Sequence, residues 1–215
     1  MSKAFVIALL GAESTGKTAL ASALATALAA RRGAPARRVA VVAEYLREFC
    51  DTHGRTPRRK EQTGIAAEQT RRIEAAAQHH EIVIADTTAV MIAVYSEHVF
   101  GDASLYASAL AAHARYDLTL LTALDLPWQA DGLQRDGPHV REPVDAAVRG
   151  ALQRANLAFS VVSGSGGARL EAALACVQRA LAPPPADTDS TKRWQWHCER
   201  CGDTACERHA LLPKA

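Results

Sequence analysis

At 215 residues the chain is long enough for one α/β domain with its own core and a small appendage. Apolar residues make up 48%, which excludes a chain disordered throughout, and a formal net charge of +2 excludes a surface built mainly to grip DNA or an anionic membrane. Its five cysteines are odd in number and three of them fall close together (Cys198, Cys201 and Cys206), which is not the pattern of a disulfide framework.

The first predicted element is a strand from Ala4 to Leu10, a continuous apolar run of the kind buried on both faces of a parallel sheet. It is far too short to span a bilayer, and no small-residue cleavage site follows it, so a cytoplasmic location is expected. A glycine-rich turn comes next, then a helix from Lys17 to about Arg32 with Leu20, Leu24 and Leu28 on one face, stopped by Gly33 and Pro35. Val39 to Ala43 reads as the second strand, and a polar helical stretch runs from about Arg59 to His80. Ile82 to Ala85 is the third strand, ending in Asp86. Helical segments follow at Val90–Val94 and Ser104–Ala114. Leu118 to Thr122 is the fourth strand, and Trp128 to Arg141 a loop rich in Gly, Asp and Arg. A helix from Pro143 to about Ala155, a strand from Phe159 to Ser163 and a helix from about Ala168 to Leu181 close the domain.

Strands alternating with helices predict a three-layer α/β sandwich around a central five-stranded parallel sheet with right-handed crossovers. Pro183-Pro184-Pro185 cannot continue a helix. The expected organisation is a nucleotide-binding domain over 1–182, a proline-rich linker over 183–190 and a short tail over 191–215.

The turn after the first strand reads Gly11-Ala12-Glu13-Ser14-Thr15-Gly16-Lys17-Thr18, a complete G-x-x-x-x-G-K-T phosphate loop between a strand and a helix. Gly11 and Gly16 allow a tight turn, and main-chain N–H groups from Glu13 to Thr18 gather at the positive end of the helix. Lys17 reaches the β- and γ-phosphates of ATP, and the Thr18 hydroxyl ligates Mg²⁺. Asp86, after four buried residues, is the expected carboxylate for that Mg²⁺, or else a group for the acceptor substrate. In an open α/β sheet, ligands sit beyond the carboxyl ends of the strands, where Glu44, Tyr45, Arg47 and Glu48 lie. Glu44 can take a proton from an attacking hydroxyl and Arg47 can bind or stabilise phosphate charge; a plain helix start also favours acids there. Arg135 and Arg141, in and beyond the Trp128–Gly137 loop, read as a lid over the phosphates or as surface charge. Gly164-Ser165-Gly166-Gly167 suits either close approach to an adenine ring or a helix entry.

Taken in order, G-A-E-S-T-G-K-T, E-Y-L-R-E-F (Glu44 to Phe49), D-T-T (Asp86 to Thr88) and Y-D-L-T-L-L…W-Q-A-D-G-L-Q-R (Tyr116 to Arg135) resemble the ribosylnicotinamide kinase domain of NadR-type proteins over roughly Phe5 to Leu181. The wider groupings are the P-loop nucleoside kinases and the AAA-type ATPases. The resemblance implies transfer of the ATP γ-phosphate to the 5′-hydroxyl of N-ribosylnicotinamide, giving nicotinamide mononucleotide. It also implies an acceptor pocket holding Glu44 and Arg47, Asp86 near metal and hydroxyl, and Arg135 in the lid. Multifunctional members carry an adenylyltransferase domain ahead of the kinase. This chain starts at the first strand, so that second reaction is not expected. Members also stack the nicotinamide on an aromatic residue just before the E-Y pair, where this chain has Ala43. Tyr45, Tyr95, Tyr106 and Trp128 are the candidates to replace it.

The tail places Cys198 and Cys201 ahead of Cys206 and His209, four ligands suited to a zinc-knuckle-like Zn²⁺ site, with His197 as a competitor. Trp194 and Trp196 can stack on bases. From Ala186 onward, however, five Lys/Arg are matched by five Asp/Glu, so the basic footprint of a nucleic-acid binder is missing. The expected partners are ATP and a nucleoside-like substrate, with a homo-oligomer or another protein docking through the tail, and neither membrane nor nucleic acid. An alternative to the kinase is an ATP-binding regulatory protein that uses the zinc tail as its interaction module.

Overall fold

The computed structural model describes residues 3–30, 37–129 and 137–182. The chain divides into two units, Met1–Leu181 and Ala182–Ala215; all but the last described residue belong to the first. Within it, strands β1 (Phe5–Leu10), β2 (Val39–Val42), β3 (Ile82–Asp86), β4 (Leu118–Thr122) and β5 (Ser160–Val162) form one sheet in the order β2-β3-β1-β4-β5, every pairing parallel. The described helices are α1 (Lys17–Ala29), α2 (Tyr45–His53), α3 (Gln62–Ala77), α4 (Ala89–Phe100), α5 (Tyr106–His113), α6 (Arg141–Arg154) and α7 (Gly166–Leu181). No helix among the described residues is long and apolar enough to cross a membrane.

The strands are apolar on both faces because both are covered. Ile7 and Leu9 of β1 join Ile82, Ile84, Leu120 and Val162 against Leu20, Leu24 and Leu28 of α1 and Ala173 and Val177 of α7. Leu10 and Leu121 face a second layer built from Phe49, Met91, Val144 and Val148. Val6, Val83 and Ala85 pack on Ile73 of α3. Each Leu or Ile so buried contributes about 1.5–3 kcal/mol, so these layers supply most of the drive to fold. Helix α4 is buried on every side over Ala89–Val94 and lies at the centre of the second layer.

Among the elements that differ from expectation are α2, α4 and α6. Helix α2 was not foreseen beyond a possible helix start, since only Phe49 and Cys50 in it are buried. Tertiary contacts hold it: Arg72 of α3 pairs with Glu48 and lies 4.3 Å over the Tyr45 ring. Helix α4 continues well past Val94, because Glu97, His98 and Val99 are exposed and interrupt the apolar run without ending the helix. Helix α6 starts at Arg141, after a 3₁₀ turn over Pro138–Val140.

One buried ionisable group links this frame to pH. His113, 2% exposed, sits between Thr88, the N-cap of α4, at 3.2 Å and Thr119 of β4 at 2.8 Å. Burial pushes its pKa from 6.5 down to about 4. Between those values the unfolded chain binds the proton and the folded one does not, so stability falls as pH drops through that window. The expected loss is on the order of 3 kcal/mol from pH 6.5 to 4. Urea titrations across that range will show it, and His113→Gln will flatten the slope; an equally steep slope in the variant would place the pH dependence elsewhere.

Candidate nucleotide and acceptor site

The phosphate loop bridges the end of β1 and the start of α1. Gly11 has φ +148°, and a Cβ there would run into the Thr122 hydroxyl. Gly16 is the N-cap of α1 at φ +75°, with Leu126 Cδ1 3.0 Å from where a Cβ would stand. Neither position accepts a side chain. The Thr15 hydroxyl donates to Ala12 O (2.8 Å) and accepts from Thr122 Oγ1 (2.7 Å), so this side chain braces the loop. Glu13 is buried; its Oε1 accepts from Trp128 Nε1 (2.9 Å) and Gly137 N (3.1 Å). Ser14 Oγ accepts from Gln129 N at 2.7 Å. The loop is thus tied to both chain segments that flank residues 130–136.

Lys17 folds back over the loop, with Nζ 2.9 Å from Gly11 O and 2.9 Å from Ala12 O. Thr18 Oγ1 donates to Asp86 Oδ2 at 2.6 Å. Asp86 reaches this place because β3 lies beside β1, with Leu9 and Asp86 in register. It is 2% exposed, and its Oδ1 has no hydrogen-bond partner among the described residues. A buried, acceptor-only oxygen beside a threonine hydroxyl is hard-donor chemistry that fits a hydrated Mg²⁺, which takes one or two carboxylates together with substrate phosphates. No cluster of three or more His, Cys, Asp or Glu side chains arranged for a metal occurs among the described residues.

On the other side of β3, β2 delivers Glu44 as the N-cap of α2, with Arg47 following in its first turn. Glu44, Arg47, Lys17 and Thr18 line one cavity of about 560 Å³. Its wall toward α4 is Met91, Tyr95, Val99 and Phe100, apolar and partly aromatic. Of the four aromatic candidates, Tyr95 lines this cavity. Tyr45 lies beneath Arg72, Tyr106 donates to Glu97 (2.7 Å), and Trp128 donates to Glu13. Arg135 lies outside the described residues, as do Cys198, Cys201, Cys206 and His209. Arg141 is no lid group: it is 9% exposed in α6, its Nη2 donating to Leu124 O and Leu126 O.

Arg169 and Gln69 carry no expectation from the sequence, and Thr87 entered only within the D-T-T run. Arg169 is 4% exposed and bonds Thr15 O, Gly164 O (2.8 Å) and Asp125, joining the phosphate loop to the ends of β4 and β5. Gly164-Ser165-Gly166-Gly167 therefore serves as a helix entry braced by this arginine. Gln69 is fully buried; its signal was present, because it falls on the Ile65–Gln69–Ile73 stripe of α3 where an apolar residue belongs. Thr87 holds φ +81°, which no sequence pattern announces.

Against known proteins, the sequence matches the AAA domain family over residues 6–169. The chain belongs to that family. No curated protein matches it. Among solved structures, the AAA domain described above is similar to a NadR protein in complex with NR, with TM-score 0.67, 19% identity, and 84% of this chain and 52% of that one covered. It is also similar to a NadR protein in complex with NAD and AMP-PNP (0.62, 19%, 82% and 49%). Thymidylate kinase from Ehrlichia chaffeensis is a third match (0.56, 14%, 83% and 99%). At these identities the fold is what is shared: a P-loop kinase fold. The chain spans about half the length of the NadR chains it matches.

Proposed function

We propose that the chain is an ATP-dependent small-molecule kinase whose acceptor is a nucleoside-like alcohol, N-ribosylnicotinamide first among the candidates. The observation that carries this reading is a single cavity lined both by the phosphate-loop residues Lys17 and Thr18 and by the carboxylate residue Glu44 and the cationic Arg47. A switch that only bound nucleotide would have no use for the second group.

In this reading Lys17 holds the β- and γ-phosphates, and main-chain N–H groups of the loop share their charge. Thr18 and Asp86 would hold Mg²⁺, which when bound neutralises phosphate oxygens. Glu44 accepts the proton of the acceptor hydroxyl as its oxygen bonds to the γ-phosphorus. The bond from that phosphorus to the bridging oxygen breaks, and ADP leaves. Arg47 stabilises charge on the transferring group. The apolar wall of Met91 and Tyr95 takes the base, a role the NadR resemblance gives to an aromatic residue at the position of Ala43. The nicotinamide acceptor rests on that resemblance, and on likeness to a protein described in complex with NR.

Incubation with MgATP and a panel of nucleosides that includes N-ribosylnicotinamide tests this. One equivalent of ADP per phosphorylated nucleoside is expected. ATP binding with no phosphorylated nucleoside from any member of the panel would overturn it.

A further inference from the structure

Strands β2 and β3 run parallel as far as the pair Val42–Ala85, then separate into α2 and α4. The groups assigned to catalysis lie just past that point: Glu44 on one side and Asp86 on the other. No backbone ladder spaces them there. The side chain of Gln69 stands in its place. Its Oε1 accepts from Tyr45 N (2.7 Å), and its Nε2 donates to Ala43 O (3.3 Å) and Thr87 O (3.2 Å). A carboxamide carries the acceptor and donors of a peptide group, so Gln69 acts as one more rung between the diverging strands.

Two details give the rung its consequence. Glu44 is the N-cap residue of α2, yet its side chain makes no cap bond; Gln69 satisfies the first N–H of that helix from outside. Thr87, next to Asp86, is β-branched, 1% exposed and held at φ +81°, a strained conformation for such a residue. Its N–H donates to Leu9 O (3.2 Å) and its carbonyl accepts from Gln69, so both ends of the strained unit are pinned. Gln69 itself is fully buried on the face of α3 that carries Ile65 and Ile73, an environment that tolerates an amide only when its polar atoms are paired.

We propose that Gln69 is a positioning residue that sets the spacing between Glu44 and the Asp86–Thr87 turn, and through it the alignment of acceptor and donor phosphate. This rests on the kinase reading above. Gln69→Leu fills most of the same apolar space, one methylene shorter, and removes the three bonds. The expected result is a fall of about 100-fold in kcat, the scale of loss from a misplacement of about 1 Å, with the KM for ATP unchanged. In a double-mutant cycle with Glu44→Gln, the losses should not add, because both act through one group. A purely structural role would lower the yield of folded protein and leave kcat per folded molecule intact. Gln69→Asn, the same amide one methylene shorter, serves where the leucine variant fails to fold; it should show a partial kcat loss.

Hydrogen exchange on the full chain reads the rung without any need for turnover. The Tyr45 amide should be protected in the unsubstituted protein and exposed in either variant, together with faster exchange at 86–88. If the unsubstituted chain phosphorylates no acceptor, the kinase reading fails and exchange alone decides the rung. Wild-type kcat in a folded variant, additive losses in the cycle, or unchanged protection at Tyr45 would each overturn the proposal.

Discussion

Lys17→Ala is expected to lower phosphoryl transfer by at least about 1000-fold, equivalent to roughly 4 kcal/mol of transition-state stabilisation. The lysine is the cation that the phosphate loop itself contributes to the cavity, and its ammonium lies over Gly11 O and Ala12 O. Phosphoryl transfer involves little covalent work by the protein, so the rate depends on neutralising charge on the moving group. Alanine leaves that charge unanswered in a cavity where, among the described residues, Arg47 is the other cationic side chain. The fold should survive, because the loop is braced by Thr15, Thr122 and Arg169 independently of Lys17. Lys17→Arg should not rescue, since the planar guanidinium has a different shape and reach from a compact ammonium. Single-turnover assays with saturating MgATP measure the effect. A rate within tenfold of the unsubstituted protein would remove Lys17 from the chemistry.

Glu44→Gln is the second large effect. A decrease in kcat of about 10²–10⁴ is expected, with ATP affinity nearly unchanged. Glutamine has the same outline and can still hydrogen-bond the acceptor hydroxyl, but it cannot take its proton. The site geometry separates the two readouts: Glu44 enters the cavity from the end of β2, whereas the ATP phosphates belong at the loop after β1, and β3 lies between those strands. Steady-state kinetics with each substrate varied in turn will show the split. Equal losses in turnover and ATP affinity would assign Glu44 to scaffolding.

Both predictions concern residues visible in the sequence, and the reason is local. Gly11, Gly16, Lys17 and Thr18 act within one turn of chain, so their spacing carries their geometry. The five strands were legible for a similar reason: an apolar run that ends in a polar residue identifies a buried strand and its exit, as Ile82–Asp86 does. Helix α2 was not legible, because its nine residues bury only two side chains and its support comes from Arg72, on a different helix. Arg141 was misread because its two partners, the carbonyls of Leu124 and Leu126, carry no side-chain signature. Gln69 sat in plain view on an apolar stripe, but its three partners lie 18 to 26 residues away in the chain.

What the amino-acid sequence determined by itself is the phosphate loop, the strand that leads into it, the helix that follows, and the presence of an acid at the end of the third strand. What only the tertiary structure decided is the order β2-β3-β1-β4-β5. That order sets Asp86 beside Thr18 and brings Glu44 and Arg47 to the same cavity. Strand order follows from which crossover packs best on which face of the sheet, a sum of many contacts distant in sequence, and no short motif encodes such a sum.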